Sequence, residues 1–242
     1  MKLIFIILLT INLYGASSEL LDEYMSISSA TEELAAMETQ LSSVQRILKI
    51  DTPYDVALIE QRYKNKIGEL LSDNELQEIL DNYKYFLYAR LVHEMTYEET
   101  DPQALTNMIR YYKDLVKNKE ASVRLQSIKE ISNNMMRDEF LENVFSKLLS
   151  PMLKFSGELD SDSIKKIKKR FIDDAKLQIN ELLSYRLQDL SIEDLKNLAK
   201  FTKKSSVYNE QKAGAEASIY AIDDYTKVLM KTLEEKFKKR AK

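Results

Sequence analysis

Cysteine and tryptophan are absent from this 242-residue chain, and glycine, proline and histidine are scarce, with four, three and one copies. Without cysteine the chain has no disulfide, no thiolate nucleophile and no cysteine-ligated metal centre. The single histidine, His93, excludes a two-histidine metal site within one chain. Four glycines leave little for phosphate-binding loops or tight hairpins. We therefore predict a protein that is not an enzyme and that has no cofactor, metal or catalytic residues.

The first segment has the layout of a secretory signal peptide. Lys2 supplies an early positive charge, a nearly unbroken apolar run extends from Leu3 to Ile11, and small residues follow at Gly15 to Ser18. The apolar run is about half the ~20 residues that a membrane-spanning helix needs. We therefore predict a signal peptide over residues 1–16, cut near 16–18. The mature protein is then expected to be periplasmic or secreted, with no transmembrane segment.

Charges of both signs are nearly balanced and mixed along the chain. Thirty-six Lys and Arg stand against 39 Asp and Glu, which gives a formal net charge of −3. Binding to nucleic acid requires a concentration of positive charge that neutralises phosphates. The balance therefore indicates a protein that does not bind nucleic acid.

Apolar residues recur at helical spacing almost everywhere, and no segment shows the alternation of a strand. The sequence predicts an all-α bundle of about eight to ten amphipathic helices. Helix starts are marked by capping residues, as in the Ser72-to-Glu75 capping box and the Asp101-Pro102 pair. Ser150-Pro151 is expected either to kink a helix or to restart it.

Weak internal similarity suggests two related helical halves. Aligning Pro53 with Pro102 matches apolar positions and a following Tyr-Lys pair, and residues 71–76 resemble residues 190–195. We predict an N-terminal half over residues 17–118 and a C-terminal half over 119–242, which can pack as one domain. Capped amphipathic helices also resemble one another without duplication, so that explanation stays open.

The two Leu-Ser-x-x-Glu/Asp-Leu elements, at 71–76 and 190–195, carry a family resemblance. Together with the exported N-terminus and the helical remainder, the chain resembles a bacterial family of secreted helical proteins labelled domain of unknown function twenty fifty-nine. Phe201 matches the aromatic residue that ends the helix in that family, whereas residues 204–208 lack its Pro and Gly. The resemblance implies export and a helical fold, with no known activity.

The densest basic run forms one face of a predicted helix, since Ile164, Ile167 and Phe171 occupy its other side. This candidate face for an anionic partner consists of Lys165, Lys166, Lys168, Lys169 and Arg170. A solvated face offset by nearby aspartates is the simpler interpretation.

A second candidate site is aromatic. Tyrosine provides apolar area together with a polar tip, which suits a groove for a peptide or glycan. The candidate groove residues are Tyr83, Tyr85, Tyr88, Tyr111 and Tyr112. At helical spacing, such residues also commonly belong to the core and its boundary.

Abundant amphipathic helices without convergent chemical groups favour a binding role. We predict a non-catalytic exported protein-binding, scaffold or adaptor protein, whose partner is another protein of the bacterial envelope. Two alternatives stay open: a periplasmic chaperone that holds unfolded clients in an apolar cradle, and a cell-wall glycan enzyme that uses carboxylates alone.

Overall fold

The computed structural model describes residues 16–32, 34–35, 39, 46, 56–97, 101–153 and 160–240, and these are helical with short connections and no strand. The prediction of an all-α fold is therefore confirmed. Residues 1–15, which contain nearly all of the predicted signal peptide, lie outside the described residues. The helices whose bounds are defined are α1 (Ser18–Ile27), α2 (Val56–Leu70), α3 (Asp73–Tyr83), α4 (Phe86–Thr96), α5 (Pro102–Lys117), α6 (Ser122–Met135), α7 (Asp138–Val144), α8 (Ser150–Leu153), α9 (Ser161–Arg186), α10 (Ile192–Phe201) and α11 (Ser205–Arg240).

Side chains cap the helices where the sequence predicts starts. Ser72 and Glu75 form a reciprocal capping box at α3, in which the Ser72 amide donates to Glu75 at 3.0 Å. Ser191 and Asp194 form the same device at α10. Asp101 caps α5 by accepting from the Gln103 amide at 2.9 Å. Each box satisfies backbone donors that the first helical turn leaves unpaired.

The segment around Pro151 contains a widened turn. Residues Phe145–Leu149 are π-helical, and the Ser150 amide donates to the Phe145 carbonyl five residues earlier. Pro151 has no amide hydrogen to donate within an α-helical ladder. The chain therefore passes from α7 through the π-helical turn into the short α8.

A first hydrophobic core joins α1, α2 and α3 to the middle of α11. Gly68 on α2 permits the close approach of α1, because a Cβ atom there would lie 2.9 Å from Leu21 Cδ1. The principal buried side chains of this first core are Leu21, Tyr24, Ile59, Tyr63, Ile67, Leu76, Ile79, Ala213, Ala217 and Ile222.

A second hydrophobic core joins α4, α6, α9 and α10, and Val207 near the start of α11 completes it. Its principal buried side chains are Tyr88, Leu91, Ile128, Ile131, Met135, Leu183, Leu187, Leu195, Leu198 and Val207. Helix α11 therefore contributes to both cores. Each core draws residues from both sides of the boundary at 118/119, so the predicted halves do not correspond to separate cores.

Arg90 and Arg124 fix the loop between α9 and α10, and Arg186 at the end of α9 anchors that helix to α4. Arg124 donates to the Leu187 and Leu190 carbonyls, at 3.3 and 2.6 Å. Arg90 binds Asp189 through two hydrogen bonds of 2.8 and 2.7 Å. Arg186 donates to the Glu94 carbonyl at 2.5 Å, which ties α9 to α4. The loop is held by contacts that are distant in sequence.

The capping boxes give a first testable prediction. Replacing Ser191 by alanine removes the acceptor for the Asp194 amide, so we expect a loss of about 1 kcal/mol in the free energy of unfolding. Ser72→Ala should cost a similar amount, whereas Ser161→Ala, one residue beyond the Asp160 cap of α9, should cost less. Urea unfolding followed by circular dichroism measures these differences. Equal values for Ser191→Ala and Ser161→Ala would contradict the assigned capping role.

Candidate functional site

An open apolar groove lies between α5 and α9. It encloses about 640 Å³, and α5 and α9 provide most of its walls. Its lining residues are Leu105, Met108, Ile109, Met136, Ala175, Gln178, Ile179, Glu181 and Leu182. A groove of this composition can accept the apolar side of another helix.

Helix α5 has a stripe of apolar side chains, and part of this stripe is exposed to solvent rather than packed against another helix. Met108 is buried, whereas Leu105 and Ile109, four residues apart on one face, are 47% and 40% exposed. Residues four apart are neighbours on a helix surface. The two side chains therefore form an exposed apolar ridge along the groove.

One acidic side chain, Glu181, lines the otherwise mostly apolar groove. Burial raises the pKa of the Glu181 carboxyl above its ordinary value, and the nearby Lys113 charge partly opposes this effect. Burial, together with the Glu181 charge, also raises the pKa of Tyr112 on α5. The apolar wall thus includes a partly desolvated acid beside a tyrosine.

The structure divides the candidate aromatic groove into two groups. Tyr83, Tyr85 and Tyr88 surround the junction of α3 and α4; the Tyr85 and Tyr88 rings lie 4.6 and 5.4 Å from that of Phe201. Tyr88 is completely buried.

The second group lies on α5. Tyr111 packs edge-to-face on Tyr185 of α9, with ring centroids 5.9 Å apart, and Tyr112 lies near Glu181. Both α5 tyrosines are half-buried. The five tyrosines therefore belong to two places in the fold, and the α5 pair flanks the apolar groove.

The predicted basic face lies on α9, where ion pairs accompany most of its members. Lys165 pairs with Asp162 at 3.4 Å, and Lys169 pairs with Asp173 at 2.8 Å. Both are i,i+3 or i,i+4 pairs within the helix. Exposed pairs of this type contribute little to stability, because solvent screens both charges.

The other members of the face differ in exposure. Lys168 is half-buried and reaches Glu142 at 2.7 Å, which connects α9 with α7. Arg170 lies 3.5 Å from Asp174, and Lys166 is exposed. Acidic neighbours therefore offset much of the positive charge of this run.

A buried glutamate with tyrosine partners lies between the two cores. Glu210 on α11 is only 4% exposed. Its carboxylate accepts hydrogen bonds from the Tyr83 hydroxyl at 2.5 Å and from the Tyr88 hydroxyl at 2.6 Å. Burial and the Glu210 charge raise the pKa values of both tyrosines well above the ordinary value, so both hydroxyls stay protonated as donors.

A cavity of about 330 Å³ adjoins this carboxylate. Helices α1, α2, α3, α4, α6, α7 and α11 all contribute to its wall. The lining combines Glu210 with aromatic, thioether and small polar side chains, among them Tyr24, Tyr63, Tyr83, Phe140, Met95, Met135, Ser28 and Ser218.

Sequence reasoning did not single out Glu210, Tyr24 or Tyr63. A signal for Glu210 is nevertheless present, because it falls at helical spacing between Val207 and Ala213–Gly214 on the apolar stripe of α11. A charged residue on a buried stripe requires polar partners. Its partners, Tyr83 and Tyr88, lie on other helices, and no sequence pattern identifies them as partners of Glu210.

Within the part of the chain that the structure describes, no group of three or more His, Asp and Glu side chains is arranged to hold a metal ion. No helix among the same residues combines the length and apolar character needed to cross a membrane.

Comparisons with family models, curated proteins and solved structures find no match for this chain.

Proposed function

We propose that this protein is a non-catalytic, exported binding protein of the bacterial envelope, whose groove between α5 and α9 holds an amphipathic helix of another protein. The observation that carries this proposal is the exposed apolar ridge of Leu105 and Ile109 along a groove of about 640 Å³. Exposed apolar side chains beside a groove between two helices provide the contacts that helix-in-groove recognition uses.

The groove also favours a particular partner chemistry. An apolar stripe of i, i+3, i+4 and i+7 residues fits a groove between two helices. Glu181, whose carboxyl is partly desolvated, favours a lysine or arginine at the edge of that stripe. The proposed partner is therefore an amphipathic helix with one basic residue beside its apolar face.

The expected result is a specific crosslink from the groove. A photoreactive phenylalanine analogue in place of Ile109 should yield one dominant adduct in envelope extract. Adding Leu105→Glu should reduce its yield about tenfold, because a charge would then be buried against the partner. The measurement is adduct intensity on a gel, followed by mass spectrometry of the crosslinked peptide.

Leu177 provides the matched control. It lies on α9, is 46% exposed and does not line the groove, so the same analogue at this position should give little adduct. Equal labelling from positions 109 and 177 would overturn the assignment of the groove. Many unrelated adducts, together with suppressed aggregation of a test protein, would replace it with the chaperone alternative.

Export and family membership belong to the same proposal. The apolar leader at 3–11 supports export, so the protein should be recovered from the envelope fraction without Met1; protein that keeps Met1 and stays in the cytoplasm would contradict export. The Leu-Ser-x-x-Glu/Asp-Leu elements support membership of the secreted helical family of unknown function. Both elements contain the capping boxes that begin α3 and α10.

A further inference from the structure

The cavity beside Glu210 has the size of a small-molecule site. Its volume of about 330 Å³ is near the lower end of the range of ligand pockets, about 300–1,000 Å³. Since one water occupies about 30 Å³ of the liquid, the space suits a ligand of roughly ten non-hydrogen atoms. A peptide helix or a glycan chain would not fit, which separates this cavity from the groove between α5 and α9.

The chemistry of the wall selects the charge of the ligand. Glu210 contributes a carboxylate that is 96% removed from solvent, given its 4% exposure. Around it are the aromatic residues Tyr24, Tyr63, Tyr83 and Phe140, and cations are attracted to aromatic ring faces. Among the lining residues that the structure describes, none is Lys, Arg or His. An anion would therefore meet a carboxylate with no compensating positive side chain in that lining.

The hydroxyl groups in the wall offer acceptors to such a ligand. The Tyr83 hydroxyl donates a hydrogen bond to Glu210, so its phenolic oxygen is still available to accept a hydrogen bond from another donor. Ser28 and Ser218 add hydroxyl groups to the same wall. These groups can accept N–H donors, and the ring faces and methionine sulfurs can surround alkyl groups on nitrogen.

We propose that the cavity beside Glu210 binds a small organic ammonium ion, with the Glu210 carboxylate as its counter-charge and the tyrosines around it as its cage. Gln211, Ala215 and Ser218 of the α11 wall are half-buried, so this wall is open to solvent in part. Met136 lines both this cavity and the groove between α5 and α9. The two sites share no other lining residue, and neither proposal depends on the other.

The experiment is isothermal titration of the full folded chain with choline. The reference ligand is dimethylbutanol, an uncharged isostere of choline in which carbon replaces the quaternary nitrogen. Choline is expected to bind at least about tenfold more tightly than the isostere, because only the cation interacts with Glu210 and the ring faces. Equal affinity for the two ligands, or no binding of choline, would overturn the proposal.

Three variants locate the binding. Glu210→Gln keeps an oxygen acceptor but removes the charge, and it should weaken choline binding about tenfold while leaving the isostere unaffected. Ala215→Leu fills the wall and should abolish binding of both ligands. Glu216→Gln removes a charge from the same helix outside this cavity and should change neither affinity.

The outcomes remain decisive if one variant is unstable. Circular dichroism first establishes that each variant is folded. If Glu210→Gln does not fold, the choline preference of the original protein and its loss in Ala215→Leu still decide the question. Unchanged choline affinity in a folded Glu210→Gln variant would overturn the role of the carboxylate.

Discussion

Replacing Glu210 by alanine is expected to lower the free energy of unfolding by about 2–5 kcal/mol. The substitution removes the acceptor of the buried Tyr88 hydroxyl and of the part-buried Tyr83 hydroxyl, and a buried donor left without a partner costs about 1–3 kcal/mol. Tyr88 is completely buried, so it has no direct contact with bulk water that could replace the lost acceptor. Urea unfolding at neutral pH, monitored by circular dichroism, measures the change.

Two companion variants separate this effect from simple truncation of a side chain. Glu210→Gln should cost less than Glu210→Ala, since the amide oxygen still accepts a hydrogen bond from one hydroxyl. Glu216→Ala, on the same helix and half-buried, should stay within about 0.5 kcal/mol of the original protein. If Glu210→Ala were no more destabilising than Glu216→Ala, the buried network would contribute nothing to stability.

Replacing Leu183 by alanine is expected to cost about 2–5 kcal/mol, the range for a fully buried leucine. Leu183 has no exposed surface and lies in the second core among Ile179, Leu187 and Leu195. The loss combines the transfer free energy of the removed atoms with that of the cavity left behind. Thermal and urea unfolding both measure it.

The same exchange on the same helix provides the control for this prediction. Leu177→Ala removes the same atoms from a side chain that is 46% exposed, so its cost should be below about 0.5 kcal/mol. Comparable losses for Leu177→Ala and Leu183→Ala would contradict the observed orientation of α9.

Because α11 contributes to both cores, Leu183→Ala and Leu76→Ala should each shift a single unfolding transition for the whole protein.

Local features of this fold were predictable because they depend on residues a few positions apart. The capping boxes at Ser72 and Ser191 and the Asp101 cap all formed where the sequence places them. Their geometry is set by hydrogen bonds within three residues of the helix start. The sequence permits either a kink or a restart at Pro151, and apolar spacing alone does not specify the π-helical turn that precedes it.

Placement of the candidate sites was predictable only in part. The basic run lies along α9 as expected, but its ion pair between Lys168 and Glu142 depends on how α9 packs against α7. The five candidate tyrosines divide between two places, because helical spacing assigns a residue to a face without identifying the helix opposite. Pairs such as Tyr83 and Glu210 are separated by 127 residues and meet only through packing.

Composition and short-range hydrogen bonds are sufficient to specify the all-helical class, several helix starts, and the lack of cysteine and near-lack of histidine. Packing in three dimensions adds that α11 joins two cores, that part of the α5 stripe stays uncovered beside α9, and that Glu210 lies buried among tyrosines at a cavity. Each of these depends on which apolar stripes face each other. That choice is made by the packing of side chains from distant helices, which the periodicity of a single helix does not encode.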